Sequence, residues 1–152
     1  MQHFLPGKSC KMEKQFMKSS NYLLECCVDS AYSARMAKKG GADRLELCSN
    51  LVIGGTTPTL ALYEQIRKQT GIRIHVLIRP RFGDFLYSED ETALICKEID
   101  AFRAAGADGV VIGSLSPDGS LCTEQMKRFR EHARDMSVTL HRAFDMCRDP
   151  FA

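Results

Sequence analysis

Residues 40–48 read Gly-Gly-Ala-Asp-Arg-Leu-Glu-Leu-Cys, and residues 105–112 read Ala-Gly-Ala-Asp-Gly-Val-Val-Ile. In both stretches glycine follows a segment of helical period, and a Gly-Ala-Asp step then leads into a short apolar run. Glycine just past a helix supplies the left-handed conformation that ends it. A step of this kind is typical of a helix that returns to a strand of a (β/α) barrel. The two stretches therefore predict repeated βα units.

The sequence on either side of these stretches continues the alternation from Tyr22 onward. Strands are predicted at residues 22–28, 44–48, 73–79, 109–112 and 138–142, and helices at residues 30–39, 59–69, 89–104 and 123–135. Strands that are joined by crossover helices form parallel sheets, and their functional groups collect at the carboxyl ends of the strands.

The fold class predicted from this pattern is α/β, and specifically a TIM-type (β/α) barrel. A doubly wound sheet is less favoured, because no GxGxxG turn follows the first predicted strand and no P-loop is present. A closed barrel has eight strands and eight helices in roughly 250 residues. We therefore expect residues 22–152 to form a barrel truncated after about five strands and four helices, preceded by a loose or weakly helical extension at residues 1–21.

Composition and charge limit the classes of function. The chain has 152 residues, of which 44% are hydrophobic, and a net charge of +2 with both signs mixed throughout. These values predict one soluble domain that binds neither nucleic acid nor a membrane. The cysteine count is seven, an odd number without CxxC spacing, which favours reduced thiols and a cytoplasmic location.

A Leu-Glu-x-Cys pattern occurs twice, at residues 24–27 and 45–48. Side chains alternate along a strand, so Glu25 shares a face with Cys27, and Glu46 shares a face with Cys48. Neighbouring strands lie about 4.8 Å apart, so the two thiols are candidates to bind one soft metal ion. The alternative remains open that both cysteines only pack, since free cysteine is often buried as a small hydrophobe.

Charged and titratable residues form a second group at or just past the predicted carboxyl ends of the strands, where barrel sites form. The candidates for acid–base catalysis are Glu25, Glu46, His141 and Asp145, and the candidates for binding an anion are Arg79, Arg81 and Arg142. The alternative is a charge network that only neutralises buried ions. The loop at residues 54–58 offers backbone donors to an anion, or is simply a tight turn.

Six blocks of sequence, in order, resemble the CutC family of copper homeostasis proteins. They are Glu-Cys-Cys-Val-Asp-Ser at 25–30, residues 41–48, Gly-Gly-Thr-Thr-Pro at 54–58, Ile-Arg-Pro-Arg at 78–81, Gly-Asp-Phe-Leu-Tyr-Ser at 83–88 and His-Arg-Ala-Phe-Asp-Met at 141–146. Two positions depart from the family pattern. Cys26 replaces a small aliphatic residue, and Phe82 stands where glycine is usual.

The resemblance implies a single-domain TIM-type barrel of which this chain is the N-terminal half. It also implies that Cys27 and Cys48 occupy the positions of the family's proposed copper ligands, so Cu(I) binding in the cytoplasm is the leading expectation. The rival is a barrel enzyme that acts on a small anionic metabolite, and a third reading is an inert truncated product. Open sheet edges lead us to expect a homo-oligomer.

Overall fold

The computed structural model describes residues 22–149. Within this range five strands and five α-helices alternate, and a 3-10 helix follows the second strand. In chain order the elements are β1 Glu25–Val28, α1 Ala31–Lys39, β2 Arg44–Leu47, the 3-10 helix Leu51–Ile53, α2 Leu60–Thr70, β3 Arg73–Leu77, α3 Glu89–Ala104, β4 Gly109–Ile112, α4 Thr123–Ala133, β5 Ser137–Leu140 and α5 Ala143–Met146. The expected extension at residues 1–21 lies outside the described residues.

The five strands form one parallel sheet in the order β1-β2-β3-β4-β5. In a doubly wound sheet the strand order reverses at a switch point, whereas here every strand pairs with the next one in sequence. Sequential order is the arrangement of a (β/α) barrel. The predicted α/β class and the preference for a barrel-type sheet are confirmed.

Two Gly-Ala-Asp steps build the same clamp between neighbouring strands. Before β2, the Asp43 amide donates to the Leu24 carbonyl at 2.9 Å, and the Asp43 carboxylate accepts from the Leu24 amide at 2.9 Å. Before β4, Asp108 makes the same pair of bonds with Ile74, at 3.1 and 2.9 Å. Each aspartate thus fixes a strand to the preceding one, which explains why the sequence step repeats.

The clamp also explains where the first strand begins. Leu24 bonds to Asp43 through both its amide and its carbonyl, so the regular ladder of β1 starts only at Glu25, three residues after the predicted start. The last predicted strand is instead shifted toward the amino terminus, and β5 ends at Leu140. His141 and Arg142 therefore lie in the turn that leads into α5, a four-residue helix that the sequence pattern did not predict.

The two faces of the sheet carry different side chains. The face toward the helices is an apolar core that includes Leu45, Leu47, Ile74, Val76, Val110 and Ile112. Cys26 packs against this core, as its position in the alternation predicts. The opposite face carries a smaller buried cluster of Cys48, Leu77 and Val111. The predicted facing of the Leu-Glu-x-Cys segments is therefore confirmed.

His75 lies on this second face and is 3% exposed. A Cβ atom at Gly109 would lie 2.5 Å from its ring, so glycine is required opposite it on β4. Burial lowers the pKa of the imidazole below its usual value. Its Nδ1 lies 3.4 Å from the Thr139 hydroxyl. His75 is therefore a core histidine and not a member of the site described below.

Candidate functional site

A cavity of about 750 Å³ opens at the carboxyl ends of the strands, between the turn after β2, the loop after β3 and helix α5. Seven of the nine site residues predicted from the sequence line it. They are Cys27, Glu46, Cys48, Arg79, His141, Arg142 and Asp145. Apolar side chains supply much of the remaining wall, among them Leu51, Ile53, Leu77, Phe85 and Met146. An apolar wall with a few polar groups is the usual composition of a small-molecule site.

The two thiols enter the cavity from neighbouring strands. Cys27 pairs with Glu46 in the β1–β2 ladder, and the Cys48 amide extends the ladder by donating to the Val28 carbonyl at 3.0 Å. Partial burial, followed by the Glu46 and Glu25 carboxylates, raises the pKa of the Cys27 thiol to about 11. Burial, followed by Cys27 and Glu46, raises the pKa of Cys48 to about 12. Both thiols are therefore protonated at neutral pH.

Glu46 stands between the two cysteines in the sequence and faces the same cavity. Desolvation and the Glu25 carboxylate raise its pKa above the usual value, against the opposing effects of Arg44 and Cys27. A carboxyl group whose pKa is raised toward neutrality is suited to exchanging protons with a ligand. Glu46 therefore stays a predicted candidate for proton transfer, and it lies in the cavity.

Arg79 is 7% exposed, and backbone carbonyls hold its guanidinium group. Nη1 donates to Gly55 O at 3.1 Å and to Gly54 O at 3.4 Å, and Nη2 donates to Gly83 O at 2.8 Å. The carbonyls of the 54–58 loop thus face a cation, although the sequence suggested that this loop offers amide donors to an anion. Arg79 also lies over the ring of Phe85, with 4.8 Å between Cζ and the ring centroid.

His141 packs on the same aromatic ring, with 4.8 Å between the ring centroids of Phe85 and His141. Its Nδ1 accepts a hydrogen bond from the Ala143 amide at 3.1 Å. Desolvation, followed by the positive charge of Arg79, lowers the pKa of His141 to about 4. The ring is therefore neutral at physiological pH and carries its proton on Nε2.

Two predicted site residues lie outside the cavity. Glu25 is the first residue of β1, at the amino end of the strand, and its carboxylate pairs with Arg44. Arg81 lies in the loop after β3, where it pairs with Asp84 at 3.0 Å and with Glu91 in the first turn of α3. We therefore correct the prediction that these two residues join the site, because each already has a carboxylate partner elsewhere.

Other parts of the site were not predicted from the sequence. Phe85 contacts both Arg79 and His141, although the segment at 83–88 gave only a family resemblance and no role. The 3-10 helix at Leu51–Ile53 and helix α5 both contribute residues to the wall of the cavity. Short helices of three or four residues have no periodicity to detect, so no sequence signal could have shown them.

Residues 22–149 contain few groupings of the kind that bind metals or membranes. No group of three or more His, Cys, Asp or Glu side chains in this range is arranged to hold a metal ion. Binding of a metal ion by the Cys27–Cys48 pair therefore stays a prediction from the sequence. None of the helices in this range has both the length and the apolar character needed to cross a membrane.

Known proteins are similar to this chain in sequence. The copper homeostasis protein cutC homolog of Mus musculus is 41% identical to it over 152 residues, which cover 96% of this chain and 56% of the mouse protein. The human homolog is 45% identical over 134 residues, covering 88% of this chain and 49% of its own length. The chain therefore spans about half the length of these curated relatives.

A solved structure shows the same relationship. The crystal structure of CutC from Streptococcus agalactiae superposes with a TM-score of 0.77 at 29% sequence identity, covering 82% of this chain and 61% of that one. Its fold is TIM-barrel-like, in agreement with the sequential parallel sheet described above. The sequence pattern of the CutC family matches residues 22–152. This chain therefore belongs to the CutC family.

Proposed function

We propose that this chain takes part in copper homeostasis by binding Cu(I) between the thiolates of Cys27 and Cys48. The observation that carries the proposal is that both thiols line one cavity from neighbouring strands. Thiolate sulfur prefers Cu(I) among the biological metal ions. The mouse and human relatives are named as copper homeostasis protein homologs, which supports the same reading.

The charge balance of binding follows from the protonation of the two thiols. Both carry their protons at neutral pH, because their pKa values are raised to about 11 and about 12. One Cu(I) ion must therefore displace two protons, and the product is a bis-thiolate complex with a net charge of −1. Metal affinity then increases with pH, since each proton released competes with the metal.

Anaerobic titration with Cu(I) against a competing chelator tests the proposal. We expect the unmodified chain to bind one ion, and the Cys27→Ser and Cys48→Ser variants each to lose as much affinity as the double variant. Cys26→Ser is the matched control, because Cys26 is adjacent in sequence but packs toward the helices. Equal affinity of the double variant and the unmodified chain would contradict the proposal.

The location that suits this function is the cytoplasm. A Cu(I) bis-thiolate requires reduced cysteines, and the cytosol keeps thiols reduced. All six cysteines in the described part of the chain are free: Cys26, Cys27, Cys48, Cys96, Cys122 and Cys147. Fractionation of cells that produce the tagged chain should recover it with cytosolic markers, and recovery with secreted protein would contradict this assignment.

The second candidate is catalysis on a small anionic metabolite. The specific observation in its favour is that Glu46, with its raised pKa, shares the cavity with the cation of Arg79. We expect NMR of the protein mixed with a panel of phosphate esters and carboxylates to reveal turnover that Glu46→Gln abolishes. Turnover that persists in the Glu46→Gln variant would exclude Glu46 as the proton-transferring group.

A further inference from the structure

Arg79 is a buried cation without a carboxylate partner. The ion pairs of residues 22–149 engage Arg44, Arg67, Arg81, Arg103, Arg128 and Arg148 with carboxylates, and none of them includes Arg79. Its three hydrogen-bond acceptors are backbone carbonyls, which carry only partial charges. A charge removed from water is costly unless an opposite charge compensates it. An anionic ligand would supply the missing opposite charge.

The guanidinium group also keeps unused donors. Arginine has five N–H groups, and three contacts to carbonyls occupy at most three of them. The Nε atom is buried and has no hydrogen-bond partner in the described structure. Nε together with a terminal nitrogen is one of the two edges on which arginine binds an oxyanion with parallel hydrogen bonds.

A second unpartnered donor belongs to His141, which contacts the same Phe85 ring. The Nδ1 atom of His141 accepts from the Ala143 amide, so the proton of the neutral ring is on Nε2. That Nε2 atom is also buried without a partner. Arg79, Phe85 and His141 form one stack, in which both the cation and the imidazole contact the aromatic ring. All three residues line the same cavity.

The fold holds this stack in place on each side. A Cβ atom at Gly113 would lie 2.6 Å from the His141 ring, so only glycine leaves room for the imidazole. Thr57 fixes the backbone of Arg79 by donating from its amide to the Arg79 carbonyl and accepting from the Arg79 amide, both at 2.9 Å. The donors are thus preorganised, as a binding site requires.

We infer that the Arg79–Phe85–His141 stack binds the oxyanion of a small organic carboxylate or phosphate ester. Arg79 supplies the positive charge and the Nε–H donor, and His141 supplies a neutral N–H donor. The cavity of about 750 Å³ lies in the size range of small-molecule sites and leaves room for the organic part against its apolar wall. This inference is independent of Cu(I) binding by the thiols.

NMR titrations of the isotopically labelled chain with three probes test it. The probes are inorganic phosphate, acetate and acetamide, which is the uncharged analogue of acetate, with sodium chloride added to equal ionic strength. We expect saturable shifts of the His141 ring and of the 54–58 loop with phosphate, acetate or both, and none with acetamide. Phosphate and acetate together distinguish a phosphate ligand from a carboxylate ligand.

Substitutions of single residues test whether the stack is the binding site. Arg79→Met should weaken binding at least about tenfold, the effect of losing a charge-assisted hydrogen bond. Arg79→Lys keeps the charge but not the two-donor edge, and should be intermediate. Arg81→Met is the matched control and should bind as the unmodified chain does, because Arg81 is paired with Asp84 and Glu91 outside the cavity.

Three outcomes would overturn the inference. They are binding in Arg79→Met equal to that of the unmodified chain, a loss in Arg81→Met as large as in Arg79→Met, and no saturable shift with either anion. Far-UV circular dichroism will show whether Arg79→Met folds. If it does not, the anion affinities of Arg79→Lys and His141→Asn are compared with that of the unmodified chain instead. The Cys27→Ser, Cys48→Ser double variant should retain anion binding, which separates this result from the test of copper binding.

Discussion

The neutral His141 ring predicts a specific dependence of stability on pH. Its pKa is lowered from 6.5 to about 4 in the folded chain, first by desolvation and then by Arg79. The unfolded chain therefore binds a proton at this residue between pH 6.5 and 4, while the folded chain does not. Stability rises with pH wherever the unfolded state binds more protons, so the folded state should lose stability as the pH falls through this range.

The size of the effect follows from the shift. At 1.36 kcal/mol for each pKa unit, His141 alone should lower the free energy of unfolding by about 3 kcal/mol between pH 7 and pH 4. His75 acts in the same direction, since its pKa is also lowered. A variant of His141 is therefore needed to isolate its share from that of the other titrating groups.

His141→Asn is the suitable change, because the asparagine Oδ1 can still accept the hydrogen bond from Ala143. We expect this variant to be less stable than the unmodified chain at pH 7, where it has lost the contact with Phe85, and to approach or exceed it at pH 4.5. Urea unfolding from pH 7 to 4.5 measures the difference, and NMR of the imidazole measures its pKa directly. Parallel pH profiles for the two proteins, or a His141 pKa near 6.5, would refute the reasoning.

Three further perturbations test the packing of the fold. Gly113→Ala should lower the free energy of unfolding in urea by about 1–3 kcal/mol, because the new methyl group would lie 2.6 Å from the His141 ring. Gly40→Ala is the control and should lower it much less, because Gly40 has an ordinary helical φ of −74°. Equal losses of stability in the two variants would contradict this. Asp108→Ala should lower the free energy of unfolding by about 1–3 kcal/mol. This loss should exceed that of Asp43→Ala, because Asp108 also pairs with an arginine and is less exposed. A larger loss in Asp43→Ala would contradict this ranking. The isolated 152-residue chain should self-associate, because β1 and β5 are the edge strands of the described sheet, and a monodisperse monomer in light scattering would count against this.

The sheet was predictable because its signals are local. The Gly-Ala-Asp step specifies both the end of a helix and the hydrogen bonds of its aspartate to the preceding strand. Residues 40–48 and 105–112 were therefore enough to predict the repeated βα units. Strand alternation has a period of two residues, so the facing of Cys26 against Cys27 followed directly from the sequence. These features depend on neighbours in the chain and on hydrogen bonds to an adjacent strand.

The composition of the site was only partly predictable, because it depends on where short strands end. β1 and β5 have four residues each, so a shift of three residues moves a side chain from one end of the sheet to the other. This is why Glu25 lies at the amino end beside Arg44. Arg79 and Arg81 have the same position in the alternation of side chains. Only the fold of the loop shows that Arg81 pairs with Glu91 outside the cavity, while Arg79 lines it.

The two proposed ligands of the cavity depend on the same positive charge. Gly55 lies close to both Arg79 and Cys48. Its carbonyl accepts a hydrogen bond from Arg79 at 3.1 Å, and a Cβ atom built on it would lie 3.6 Å from Cys48 Sγ. Protonated thiols and a neutral His141 carry no charge, whereas the buried guanidinium group of Arg79 is positive, and this charge repels a free Cu(I) ion. A Cu(I) bis-thiolate is itself an anion, however, so Arg79 would stabilise the complex once both protons have left. A carboxylate or phosphate bound to Arg79 would cancel that stabilisation, and the two ligands are therefore expected to oppose each other at this site.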